Sequence, residues 1–153
     1  MKLISHRGNI DGKNIEFENH PDYIDKAISL GYDVEVDIWI ISGDQFLGHD
    51  EPQFPIKSEW LNARKDKLWI HCKNIEAIEW FNPKNEFNYF WHDKDTLTLT
   101  SKKIIWAYPG KQPILNSIAV MPEIFNDSVS GCLGICSDFI SSYYNIISKS
   151  DLD

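Results

Sequence analysis

Strict alternation marks the segment DVEVDIWI. Val34, Val36, Ile38 and Ile40 fall on one parity, and Asp33, Glu35 and Asp37 fall on the other. Period two predicts a strand over 33–40 with one apolar and one acidic face. KLIS (2–5) and KLWIHCK (67–73) carry enough apolar weight for further strands, and SGDQ (42–45) turns the chain into a short strand FLG (46–48). Between them the period changes. Tyr23, Ile24, Ala27 and Ile28 follow Pro21 at helical spacing and stop at Gly31, which predicts a helix capped by Asn19 or His20. Ser58 and Asn74 are candidate caps for short helices over 57–65 and 74–81. Beyond that point strands dominate: EFNYFWH (86–92), TLTLT (96–100), KIIWAY (103–108), SIAVMP (117–122) and GICSDFI (134–140), with a terminal helix over 141–148.

Alternating β and α elements favour a parallel sheet. A complete (β/α)₈ barrel takes about 200 residues or more, and this chain has 153. The expectation is therefore one α/β domain, a compact, shortened TIM-like barrel whose second-half helices are reduced to loops. Such trimming leaves strand faces bare, and a homodimer would cover them.

Composition narrows the classes. Hydrophobic residues make up 42% of the chain, with six Trp and eight Phe, which is enough for a core. The net charge of -8 argues against non-specific nucleic-acid binding, which relies on Lys and Arg against phosphate. No apolar run approaches the roughly 20 residues of a membrane span, and MKLISHRGNID has no signal-peptide core, so stable membrane insertion is not expected and a cytoplasmic protein is. Cys72, Cys132 and Cys136 cannot all pair within one chain and read as reduced thiols.

The chemistry sits at the ends of the apolar runs. Glu35 and Asp37 share a strand face, and two neighbouring carboxylates suit Mg²⁺ or Ca²⁺. A half-buried strand with its polar face in water would show the same alternation. The neighbouring runs shift the balance. KLIS runs into His6 and Arg7, FLG into His49, and His71 and Lys73 lie two apart on the third run. In a parallel barrel all these ends meet at one mouth. Histidine moves protons near neutral pH, while Arg7 and Lys73 suit a phosphate. His92, at the end of FNYFWH, is a further candidate for substrate at the same mouth. Trp106 and Tyr108 either wall that pocket or pack in the core.

Taken together, His6-Arg7-Gly8, Glu18-Asn19, Glu35-x-Asp37 and His49-Asp50 resemble the signature of the glycerophosphodiester phosphodiesterases, TIM-barrel enzymes of the phospholipase C-like phosphodiesterase superfamily. The likeness is strongest over residues 3–51. It implies hydrolysis of a small phosphodiester with His6 and His49 as general acid and base. Glu35 and Asp37 would be metal ligands, Glu18 would face the metal, and Arg7 would hold the phosphate. His71 stands where the family has a glutamate ligand; an imidazole there shifts preference toward Mn²⁺, Zn²⁺ or similar ions, or else the two carboxylates and water hold the metal. His20 replaces the threonine of the family's ENT, and the insertion that caps the glycerol site has no room in this chain. The rival reading is a non-catalytic module that binds a phosphorylated sugar or lipid headgroup on the same scaffold.

Overall fold

The computed structural model describes residues 1–150. It is a mixed α/β fold built on one curled sheet. The elements in chain order are β1 (Lys2–His6), α1 (Pro21–Ser29), β2 (Asp33–Ile41), β3 (Asp44–Leu47), β4 (Phe54–Ile56), α2 (Ser58–Arg64), β5 (Leu68–Cys72) and α3 (Ile75–Phe81). They continue with β6 (Tyr89–Phe90), β7 (Leu97–Leu99), β8 (Ile105–Ala107), β9 (Ser117–Val120), a 3₁₀ turn (Pro122–Ile124), β10 (Gly134–Ser137) and α4 (Ile140–Ser150).

Seven strands run parallel in the order β6-β5-β2-β1-β10-β9-β8. The two ends of this run share no ladder among the described residues. The Phe90 and Trp106 rings meet between them, with centroids 4.8 Å apart. The remaining strands are antiparallel additions, β3 and β4 on the far end of β2 and β7 on β8.

Alternation assigns the two faces. Val34, Val36, Ile38, Ile70, Cys72 and Ile135 point outward into a core closed by Ile24 and Ala27 of α1, Leu61 of α2, Ala77 and Phe81 of α3 and Ile140 of α4. The opposite parity packs Ile4, Trp69, Phe90, Trp106, Ile118, Val120 and Cys136 together on the concave face. Helices therefore back β1, β2, β5 and β10, while β8 and β9 are covered mainly by loops.

Local details depart from the sequence expectations in instructive ways. His20 caps α1, its Nδ1 accepting from Asp22 N at 3.2 Å, and Asn74 caps α3 through Ala77 N. Ser58, expected to cap α2, is instead its first residue and donates to Gln45; Lys57 is the capping position and offers no side-chain acceptor. FLG belongs to an antiparallel hairpin strand and not to a further parallel one. The segment 86–92 contributes only Tyr89–Phe90 as strand, because Phe87 tucks against Trp80 and Phe81. Pro55 is tolerated in β4 because this is an edge strand. All three cysteines are free and buried. Among the described residues, no helix is long and apolar enough to cross a membrane.

The hairpin turn after β3 depends on Gly48. Its φ is +152°, and a Cβ there would lie 2.0 Å from the Glu51 carbonyl oxygen. Gly48 N also donates to Asp37 O, and Gly48 O accepts from Trp39 Nε1 at 2.7 Å. Gly48→Ala is expected to cost about 2 kcal/mol or more. That should lower the melting temperature by roughly 4–8 °C in a chain of this size. A melting curve unchanged from wild type would contradict this account of the turn.

Candidate active site

Parallel register brings the polar residues of the concave face together. His6 lies beside Glu35, and Asp37 beside His71. Each is two residues beyond a floor residue on its own strand: His6 after Ile4, His71 after Trp69, His92 after Phe90, Tyr108 after Trp106 and Asp138 after Cys136. Strand alternation thus stacks a layer of ionisable groups on an apolar floor at the carboxyl ends of the strands. Open parallel sheets bind ligands at these ends.

Asp37 is the hub. It is fully buried and its Oδ2 accepts from Asn19 Nδ2 at 2.9 Å, while its own backbone N–H donates to Asn19 Oδ1. Arg7 Nε lies 3.0 Å from Asp37 Oδ2, and Arg7 Nη1 donates to Glu18 at 3.1 Å. Arg7 adopts the left-handed conformation, φ +56°, pinned by bonds from its N–H to Glu35 O and from Asn19 N–H to its carbonyl. Burial pushes the Asp37 carboxyl up. Hydrogen bonds with His49 and His71 and the charge of Arg7 outweigh burial and hold it well below the usual range. Glu35 behaves oppositely. Burial, then the charge of Asp37, drive its carboxyl well above the usual range.

Donor and acceptor chemistry fixes the histidine tautomers. His49 Nδ1 is 3.2 Å from Asp37 Oδ2 and its Nε2 is 3.3 Å from Arg7 Nη2. Arginine can only donate, so Nε2 accepts and Nδ1–H donates to Asp37. His6 Nδ1–H donates to Asp138 Oδ1 at 2.7 Å, leaving Nε2 toward the pocket, 3.8 Å from Glu35 Oε2. Asn9 donates to both Asp138 and Glu18, tying the first loop to the last strand. Burial raises the Asp138 carboxyl, but its bonds with His6 and Asn9 and the charge of Arg7 leave it below its ordinary value.

His71 Nε2 faces the carbonyl oxygen of His92 at 2.8 Å and must donate to it. A neutral ring then turns its Nδ1 lone pair on Asp37 Oδ1, 3.0 Å away, and on Glu35 Oε1, 3.9 Å away. A lone pair facing two carboxylates needs a proton or a cation between them. With His71 neutral, Glu35 Oε2 and Asp37 Oδ1 are buried without a hydrogen-bond donor; only a proton on His71 Nδ1 would give Asp37 Oδ1 one. One ligand atom each from Glu35, Asp37 and His71 lies within 4.8 Å of the others. A cation about 2.0–2.6 Å from each would fit that spacing. The His71 bond to a backbone carbonyl is the orientation metal-bound histidines use.

Other sequence candidates sit around this centre. Lys73 Nζ is 3.7 Å from Asp37 Oδ1. Glu18 is not part of the three-residue cluster, and its oxygens are engaged by Arg7 and Asn9. Asp138, just past the end of β10, holds His6. His92 is buried against the Tyr108 ring, 3.8 Å between centroids, and neither of its ring nitrogens has a partner. Burial, then the neighbouring His71, lower its pKa to about 4, so it is neutral and no charge partner for a phosphate. Asp33, the third acid of β2, is at the opposite end of the strands with Lys2, Lys67 and Trp69. A cavity of about 260 Å³ opens on the centre between His6, His49, His71 and the aromatic wall of Phe90, Trp106 and Tyr108.

No protein-family model matches the chain, and no curated protein or solved structure matches it.

Proposed function

We propose that the protein is a metal-dependent phosphodiester hydrolase, and that its curled sheet is a shortened barrel of the glycerophosphodiester phosphodiesterase type. The observation that carries this reading is the pair of histidines. Each is oriented by its own carboxylate, His6 by Asp138 and His49 by Asp37, and both border one cavity beside the Glu35–Asp37–His71 cluster. A site that only binds has no use for two oriented proton carriers.

Glu35, Asp37 and His71 would hold the divalent cation, Mg²⁺ or Ca²⁺, or Mn²⁺ given the imidazole. When bound, it supplies charge neutralisation at the phosphate. Arg7 contributes its guanidinium to the same oxygens, with Lys73 behind Asp37. With Arg7 Nη2 turned from His49 onto the phosphate, the freed His49 Nε2 takes the proton from an attacking water. Protonated His6 delivers a proton to the departing alcohol oxygen as the phosphorus–oxygen bond breaks. The products are a phosphomonoester and an alcohol.

Purified protein should hydrolyse a glycerophosphodiester panel in Mg²⁺, Ca²⁺ or Mn²⁺ and stop in EDTA. His49→Ala should retain at most about a hundredth of the rate. Metal-independent turnover, or a variant as fast as wild type, would remove the assignment. Cation binding without turnover of any diester would favour a binding module instead.

A further inference from the structure

On the outer face of the sheet, register draws an apolar strip across the strands that no helix backs. Leu97 lies beside Ala107 and Leu99 beside Ile105, while Thr98, beside the buried Trp106, turns to the concave side. Ser101 N–H donates to Tyr89 O, which sets β6 next along. Phe90 and His92 line the cavity, so Tyr89 and Trp91, of the other parity, belong to the outer face. Trp91 is 42% exposed, Leu97 46% and Leu99 60%, with Tyr89 and Ile105 half-buried alongside. A complete barrel would carry helices here. The strand TLTLT has neither a charge nor a proline to keep a neighbour off. Contiguous exposed apolar side chains of this kind mark an interaction surface.

Charge is arranged about the strip. Asp93, Lys94 and Asp95 stand at its upper end, just before β7, and Lys102 and Lys103 form the turn at its lower end, all of them exposed. We propose that the protein self-associates through this strip as a twofold-symmetric dimer. A twofold contact sets the same patch against itself. An axis running along the strands would place acid on acid and lysine on lysine. An axis lying across them, near Thr98, stacks the two leucines of one copy on the two of its partner. It also puts the acidic end of each copy over the lysine pair of the other. A lipid surface gains nothing from opposite charges at the two ends of a strip; a second copy does. None of the strip residues lines the cavity, so each copy keeps its own site. The apolar residues are few beside the roughly 20–30 a side of a standard interface, so the dimer should be weak, with a Kd of about 1–100 µM.

Sedimentation equilibrium of the full chain over about 1–500 µM tests this, and the mass should climb from monomer to dimer. Leu99→Lys should raise Kd about tenfold or more. Exchanging the charges is the sharper measurement. Lys102→Glu with Lys103→Glu should weaken the dimer about tenfold, and so should Asp93→Lys with Asp95→Lys. All four substitutions together should return Kd to within about threefold of wild type. Circular dichroism establishes that each variant is folded. A monomer at every concentration, or a dimer indifferent to Leu99→Lys, would overturn the proposal. A dimer that the fourfold exchange fails to restore would overturn the crossed arrangement. A monomer that floats with phosphatidylcholine vesicles would assign the strip to a lipid surface instead.

Discussion

Glu35→Gln should make the metal-free protein more heat-stable and close to inactive. Glu35 is buried beside Asp37, and burial together with that charge drives its carboxyl well above the usual range. An ionised Glu35 therefore costs folding free energy, and an amide of the same shape removes the cost. The pH dependence follows from the direction of the shift. Below about pH 4 the carboxyl is protonated in both folded and unfolded chains, so wild type and variant should melt together. As pH rises the unfolded chain loses the proton while the folded chain keeps it, and wild type falls behind. The gap in melting temperature should widen toward neutral pH. Added divalent cation should raise the melting temperature of wild type and not of the variant, since binding to the folded state alone stabilises it. On the proposed metal role, removing one of the two carboxylates should cost about 10³-fold in turnover, equivalent to about 4 kcal/mol. A variant less stable than wild type without metal, or one still stabilised by metal, would contradict this account of the cluster.

His6→Ala should lower turnover by about 10²- to 10⁴-fold with little change in KM, because the loss falls on the proton delivered in the transition state. Asp138 is a positioning residue for this histidine. In Asp138→Asn the amide can present a donor to Nδ1, which would hold the ring neutral with its single proton on Nε2, a far weaker acid than the imidazolium that the carboxylate supports. The expected signature is a fall in kcat at constant KM and an altered pH profile, with partial recovery in Asp138→Glu. Equal losses of kcat and affinity in Asp138→Asn would mean that the residue merely supports the loop that Asn9 also ties down. Steady-state kinetics across pH on one diester substrate distinguishes the two.

Much of the centre was legible because it obeys period two. DVEVDIWI announced both the strand and its acidic face, and the polar residues two beyond each apolar anchor fell onto one mouth once the strands were parallel. Four features were not read from the sequence. His49 comes from an antiparallel hairpin, and the short SGDQ turn was its signal, since a parallel crossover takes about a dozen residues or more. The second-half strands are two to four residues long, because loop and aromatic packing holds these segments more than ladders do. Core packing is the commoner fate of a Trp, and Trp106 follows it at 3% exposure while also lining the cavity, a double role the sequence does not show. Asn9 gave one signal, its place directly after His6-Arg7-Gly8, and that was too weak to suggest a brace between Glu18 and Asp138.

The uneven coating of the sheet bears on how such a protein could change over time. Glu35, Asp37 and His71 stand on strands clamped from behind by α1, α3 and the rest of the helical core. Substitutions there disturb packing and cluster together. The aromatic wall projects from β6, β8 and β9, where loops and an edge strand do the covering. A new side chain at Tyr108 can be accommodated by shifting a loop, with no helix to displace. The molecule thus separates a conservative half from a permissive one, and mutational tolerance should follow that divide around the curl of the sheet.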